Sequence, residues 1–365
     1  MKRKNNLYNK ILNTNNLIFA HSRASKGKLE YTEVKKINEN LNKYIFELNK
    51  SLINKSHKTS NYKIDTRIER GKERVIYKLP YFSDRVLHHA LLQVVQPILE
   101  TAYIKDTYQS IKGRGIHKAK KRVESFLEDR ENTVYCLKID IKKYYPNVNN
   151  EILKSLIRKK IKCKDTLFLI DEIIDSTEGL PIGNYTSQTF GNFYLSYFDH
   201  WIKEDRKIKY YVRYADDMIF LHRDKDFLHK LNEEMQQYLL ENLKLTLKEN
   251  HQVFEIKSRG IDFLGFKFYH TYTLIRGSIK KAYLKKIREI TKNRIKKEHI
   301  NSIMSYYGWL KAGNGYNLLR STISDKISCR VEYFCKKSGL KNPFRKIFIS
   351  VKKVNRFGRF QPTLF

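Results

Sequence analysis

Two adjacent carboxylates, Asp216 and Asp217, stand between the apolar runs Tyr211-Val212-Arg213-Tyr214 and Met218-Ile219-Phe220. Both runs are β-branched or aromatic, so the local expectation is strand, tight turn, strand. At ~4 Å two like charges repel by about 1 kcal/mol in water and by several times that at a half-buried site. A divalent cation removes that repulsion, and hard oxygen ligands suit magnesium. Alone, the pair is equally well a solvated turn. A second carboxylate changes the balance. Val134-Tyr135-Cys136-Leu137-Lys138-Ile139-Asp140 reads as a strand ending in Asp140, with Tyr144-Tyr145-Pro146 just beyond and a helix starting near Asn149 or Asn150. Such an aspartate can also cap a helix. Two strand-borne carboxylate sites that meet on one sheet would clamp two metal ions, activating an attacking hydroxyl and stabilising a leaving pyrophosphate.

Phosphoryl transfer asks mainly for positioning and charge neutralisation. Arg70-Gly71-Lys72-Glu73-Arg74 reads as a basic turn before the strand-like Val75-Ile76-Tyr77. Lys72 and Arg74, two apart on an extended segment, share a face and suit a triphosphate; a solvated edge has the same pattern. Ser83 is placed to cap a helix with the stripe Val86, Leu87, Ala90, Leu91, Val94, Val95 and Ile98. Gly113-Arg114-Gly115 lies in a basic stretch, where glycines allow close backbone approach to phosphates. Gly179-Leu180-Pro181-Ile182-Gly183-Asn184 is a turn-rich entry into a helix. After a helical stretch around 227–243, Phe254-Glu255-Ile256 and Ile261–Phe268, split by Arg259-Gly260, read as a second hairpin. From Lys280 onward the pattern is helical and basic.

Composition narrows the partner. Against 38 Asp and Glu stand 73 Lys and Arg, a formal charge of +35 spread over all 365 residues. That excess self-repels unless a polyanion neutralises it, which favours an extended nucleic-acid track over a local membrane patch. Aromatics reach 13%, with 25 Tyr, and supply stacking faces for bases. Cys136, Cys163, Cys329 and Cys335 form no CxxC pair, so neither a zinc site nor a disulfide framework is expected. The basic N-terminus has no apolar segment after it, and no run nears the ~20 apolar residues of a membrane span. A cytoplasmic protein with no membrane partner is the expectation.

Taken in order, these motifs resemble the reverse transcriptases of the group II intron-like bacterial lineage, over roughly residues 62–320. The resemblance implies an α+β right-hand polymerase: an N-terminal basic helical extension (1–61), fingers and palm (62–270), a helical thumb (271–330) and a basic tail (331–365). Tyr214-Ala215-Asp216-Asp217 resembles the family's catalytic box, and Asp140 with the Ile141 carbonyl resembles its first metal-holding motif. Two magnesium ions, with manganese as the alternative, and dNTP substrates are implied. Tyr145 matches the steric gate against a 2′-hydroxyl. Lys72 and Arg74 match the triphosphate grip, with Ile182 and Gly183 also at the nucleotide. Gly113-Arg114-Gly115, Ser187, Gln188 and the primer-grip-like Phe263-Leu264-Gly265 are implied at template and primer. Template RNA and the RNA/cDNA duplex would be the partners.

Ile182-Gly183-Asn184-Tyr185-Thr186-Ser187-Gln188 resembles diversity-generating retroelement enzymes more than intron enzymes, which carry Gln before that glycine and Ser-Pro later. That branch implies adenine-directed misincorporation and a small basic accessory variability protein. The limited length after the thumb agrees with it, leaving no room for maturase and endonuclease parts. The rivals are a free-standing group II-like, CRISPR-associated or phage-defence reverse transcriptase, and a catalytically silent RNA-binding protein. One segment departs from the family. Leu247-Lys248-Glu249-Asn250-His251 has Asn250 where a lysine is usual, leaving Lys248 or His251 as substitutes.

Overall fold

The computed structural model describes residues 3–69, 71–339 and 342. Ten strands occur among them: β1 (Lys63–Glu69), β2 (Lys72–Lys78), β3 (Thr107–Tyr108), β4 (Tyr135–Asp140), β5 (Tyr211–Tyr214), β6 (Asp217–His222), β7 (Gln252–Glu255), β8 (Ile261–Phe263), β9 (Phe266–Phe268) and β10 (Thr273–Ile275). They form a β1-β2 hairpin, a three-stranded β10-β9-β8 sheet and a five-stranded sheet in the order β3-β5-β6-β4-β7. The central trio β5-β6-β4 is antiparallel, and β3 joins β5 in parallel. In β4 and β6 Leu137, Ile139, Met218 and Phe220 are buried, so the register is fixed by what a slip would expose.

By compactness the chain divides into two units, residues 1–122 with 132–254, and 123–131 with 255–365. In the first, helices Tyr8–Leu12, Thr14–Ala24 and Leu41–Ile53 lie with helix Val86–Glu100, so the first sixty residues share one core with the large sheet. The Val86–Glu100 stripe expected from the sequence is buried at Val86, Leu87, Ala90, Leu91 and Val95. Its start differs from expectation. Phe82 is extended (φ −110°, ψ 134°), and Ser83 makes no side-chain cap bond. Asp84 instead accepts from the Ser60 amide at 3.1 Å and hydroxyl at 2.7 Å. Asn149 does cap its helix, Asn150–Arg158, accepting from the Ile152 amide.

The second hairpin expected from the sequence is redrawn. Phe254 and Glu255 belong to β7, beside β4, and Ile256–Arg259 makes a helical turn. The hairpin is β8-β9, closed by Leu264 (φ 54°) and Gly265 (φ 83°), two left-handed residues as a two-residue turn requires. A Cβ on Gly265 would stand 2.7 Å from the Trp309 ring, so only glycine lets the turn lie on that indole. Helices Gly277–Lys292, Lys297–Ala312, Tyr316–Thr322 and Asp325–Ser338 enclose a separate apolar core around Tyr283, Ile290, Ile303, Leu310 and Val331. Of the basic tail expected at 331–365, residues beyond 339, Asn342 excepted, lie outside the described residues. Among the described residues no helix is long and apolar enough to cross a membrane.

Candidate active site

The β4-β6 register sets Asp140 directly opposite Asp217, and the β5-β6 register sets Tyr214 opposite the same residue. The turn between β5 and β6 is Ala215-Asp216, with Ala215 left-handed at φ 56°. The two carboxylate sites, far apart in sequence, therefore share one end of one antiparallel trio.

Their electrostatics are only partly relieved. Burial, with the Asp140 charge next in weight, pushes the Asp216 carboxyl up to about 6. Burial also lifts Asp217 to about 6, against the opposing pull of Lys138. Asp140 Oδ1 and Asp217 Oδ1 are buried and accept no hydrogen bond, although Lys138 Nζ stands 3.5 Å from the latter. Lys248 Nζ donates to Asp140 Oδ2. It is brought there by backbone pairing that the sequence did not announce: Lys248 N donates to Asp140 O at 2.9 Å, Lys142 N to Thr246 O at 2.9 Å, and Ile141 bridges Leu247. Among the described residues no three carboxylate, imidazole or thiol groups close into a finished cation cage. Two orphaned buried carboxylate oxygens, with ammonium groups beside them, fit hard divalent cations that would take over the lysines' neutralising role.

A cleft of about 540 Å³ opens in front of these groups, lined among others by Arg74, Tyr77, Ile141, Tyr145, Ile182, Asp216 and Lys248. Its far wall depends on Gly183, at φ 125°, whose Cβ would lie 2.2 Å from the Tyr77 carbonyl oxygen. Only glycine lets this backbone dock on β2, where Tyr77 N donates to Ile182 O at 2.8 Å. Ile182 thereby faces the cleft. Tyr145 is pinned from behind: Leu180 N donates to its carbonyl at 2.8 Å, and Gly191 lies so close that an added Cβ would press on the Tyr145 and Tyr144 rings at 3.3 and 3.4 Å. Burial, then the nearby Asp216 charge, raises the Tyr145 hydroxyl to about 12, so it stays protonated.

Other expected residues stand differently. Lys72 pairs with Glu69 in the hairpin, and its side chain lies outside the described residues. Arg114 folds back to donate to the Ile104 carbonyl at 2.6 Å, stapling its loop, and Gly113 is left-handed at φ 77°. Ser187 is buried and donates to Pro181 O at 2.7 Å, so it shapes the entry turn. Gln188 is exposed and accepts from Ser110 at 2.6 Å, tying the glycine loop to this helix. Gly115 has open space before it. Phe263 is fully buried, in the second unit with Leu264 and Gly265. Of the two candidate substitutes for the missing lysine, Lys248 lines the cleft and His251 is not among its lining residues.

Sequence reading missed the floor beneath the turn. Arg213 and Asp199 are both fully buried and paired, Nε to Oδ1 at 2.7 Å and Nη2 to Oδ2 at 2.5 Å. Burial opposes the arginine's charge, but Asp199 outweighs it and the guanidinium stays charged. The available signal was Arg213 at an inward position of an apolar strand, two residues from the buried Tyr211.

Residues 53–268 match the family model described as reverse transcriptase (RNA-dependent DNA polymerase). The chain belongs to the reverse transcriptase family. Among curated proteins this reverse transcriptase is 23% identical to Protein YkfC of Escherichia coli K12, covering 52% of this chain and 61% of that protein. It is 25% identical to the Retron Ec83 reverse transcriptase of Escherichia coli, covering 42% and 54%. The match thus spans little more than half the length of either relative. Among solved structures, apo telomerase from Candida tropicalis superposes with a TM-score of 0.50 at 14% identity, over 81% of this chain and 59% of that one. The fold is the α+β right hand of a polymerase, with fingers, a palm built on a sheet whose central trio is antiparallel, and a helical thumb.

Proposed function

We propose that this reverse transcriptase copies RNA into DNA by template-directed nucleotidyl transfer at the β5-β6 turn. The observation that carries the reading is the meeting of Asp140 and Asp217 at one strand end beside Asp216, which lines a cleft together with Arg74, Tyr145 and Lys248. Two divalent cations, when bound, neutralise the triphosphate and lower the pKa of the primer hydroxyl. Asp140, Asp216, Asp217 and the Ile141 carbonyl are the groups to hold them. Arg74 takes the triphosphate, with Lys72 beside it on β2. Tyr145 presents its ring to the sugar and excludes a 2′-hydroxyl. Lys248, held on Asp140, would be released where a metal took over that carboxylate and would then be placed to neutralise or protonate the pyrophosphate. Fingers and palm are assigned to residues 62–270 and the thumb to 271–330. Primer extension on an RNA template tests the reading: Asp216→Ala should lose at least about a hundredfold to a thousandfold in rate. Equal activity would refute it.

Within the family we assign the chain to the error-prone enzymes of diversity-generating retroelements, working with a small basic accessory protein. Ile182 on the cleft wall supports this, because it has no amide to check a mispair by hydrogen bonding. Ile182→Gln should raise accuracy opposite template adenines, and an unchanged error spectrum would sink the assignment. The likeness to a retron enzyme supports a second reading, a free-standing bacterial reverse transcriptase of ordinary fidelity. The wild-type error spectrum separates the two.

A further inference from the structure

The buried arginine below the turn has a geometry that core packing alone does not call for. A guanidinium has five N–H donors, and each of those on Arg213 meets an acceptor. Nε and one Nη2 hydrogen go to Asp199. The other Nη2 hydrogen goes to the Asn192 carbonyl at 3.2 Å. The two on Nη1 go to Asn192 Oδ1 at 3.4 Å and to the Ala215 carbonyl at 3.0 Å. Ala215 is the left-handed residue immediately before Asp216, a conformation that an alanine adopts only when its surroundings hold it there. Asn192 in turn donates through Nδ2 to the Gln109 carbonyl at 2.9 Å, at the root of the glycine loop. Gln109 and Ser110 in that loop are also left-handed.

We infer that Arg213 is a positioning residue: through the Ala215 carbonyl it fixes the turn that aims Asp216 and Asp217, and through Asn192 it ties that turn to the glycine loop. The inference rests on the polymerase reading for the use of the turn, but not for its geometry. The guanidinium is anchored on helix Ser196–His200 by Asp199 and on helix Tyr185–Tyr194 by Asn192, so its reach to Ala215 is set by two elements outside the hairpin. A lysine would keep the charge beside Asp199, but its three donors cannot hold Asp199, Asn192 and Ala215 in that plane.

The test uses the full chain and the variants Arg213→Lys, Asn192→Ala and Thr107→Val. Thr107 donates to Asp199 at 2.8 Å and touches the network from its far side, so it controls for core weakening. Amide hydrogen exchange at 214–217 should quicken in Arg213→Lys, less in Asn192→Ala, and match wild type in Thr107→Val. The dissociation constant for manganese, read from the free-ion paramagnetic signal, should rise about tenfold or more in Arg213→Lys, with kcat falling and KM for dNTP nearly unchanged. If Arg213→Lys does not fold, Asn192→Ala carries the same readouts. A looser turn in a chain whose wild type neither binds manganese nor extends primer would support the positioning role and remove the polymerase reading. Unchanged exchange and unchanged manganese affinity in Arg213→Lys, or in Asn192→Ala in its place, would overturn the inference.

Discussion

The carboxylate turn has a floor and a front, and the two treat charge in opposite ways. Below it, Arg213 and Asp199 are fully buried, and every donor of the guanidinium is matched within the chain. In front, Asp140 Oδ1 and Asp217 Oδ1 are buried with no hydrogen bond, while Arg74 and Lys248 border an open cleft. A complete network has nothing left to bind and serves to hold shape. An incomplete one keeps its unbalanced charge for whatever enters. On the polymerase reading, the contrast separates residues that fix the geometry from residues that meet the substrate, although both sets place Asp beside a basic side chain.

The largest effect should come from breaking the floor. Asp199→Ala leaves a buried guanidinium without its carboxylate, a loss of about 3–5 kcal/mol for a buried pair broken on one side. Thermal unfolding should show a fall of many degrees or no soluble protein. An ordinary melting temperature would mean that the floor is not the rigid base described here. The matching change in front is Lys248→Met. Because Lys248 is about one-third exposed and bonded to a carboxylate to which we assign a cation, its loss should barely move the melting temperature. Primer extension should nevertheless fall by about tenfold to a hundredfold, as for loss of a proton donor or phosphate partner.

Gly183→Ala falls between these. Its Cβ would meet backbone, the Tyr77 carbonyl at 2.2 Å, so β2 and the Ile182 wall must separate. Such overpacking costs about 1–3 kcal/mol, and the separation should raise KM for dNTP more than it lowers kcat. Gly113→Ala, whose Cβ would make only an ordinary 3.9 Å contact with the Lys118 ammonium, is strained by its φ of 77° alone and should cost less. If the two alanine variants were equally mild, the docking of Gly183 on β2 would not be what shapes the cleft.

What the sequence disclosed follows the same division. Asp140, Asp216 and Asp217 were legible because carboxylates at the ends of apolar strands break a simple pattern, and the strand-turn-strand reading placed them correctly. Gly183 was legible as a turn residue, but its reason, the Tyr77 carbonyl, lies in a strand about a hundred residues earlier. Arg213 sat inside the quoted motif and still went unnoticed, because its partners come from two helices that no local period connects to it. The Lys248 contact was hidden for a similar reason: it depends on residues 246–248 pairing beside 140–142, too short a ladder to show as a strand. The Phe254–Phe268 region was misdrawn because apolar runs show strands and not their partners; β7 went to the large sheet and left β8-β9 to form the hairpin.

The smallest predicted effect is the one that reads the front of the site without any chemistry. Asp216 and Asp217 both sit near 6, above the ordinary carboxylate range, chiefly through burial, with Asp140, Lys138 and Lys248 the charged groups facing them. A carboxyl whose pKa is raised on folding favours the folded state in its protonated form. That contribution is complete below about pH 4 and is lost as pH rises through about 6. A rise of that size corresponds to about 3 kcal/mol for an isolated group, and partial exposure and shared charge reduce this to about 1–2 kcal/mol for the pair. Magnesium binds the ionised form, so it should raise the melting temperature by several degrees at about pH 7.5 and by much less at about pH 5. Asp216→Asn should raise the metal-free melting temperature at the higher pH and abolish most of the magnesium effect. Because Arg213 is already paired, magnesium should leave exchange in the floor unchanged while it slows exchange at the turn. An equal magnesium shift at both pH values, or one that survives Asp216→Asn, would place the cation elsewhere on this basic chain and dissolve the distinction between floor and front.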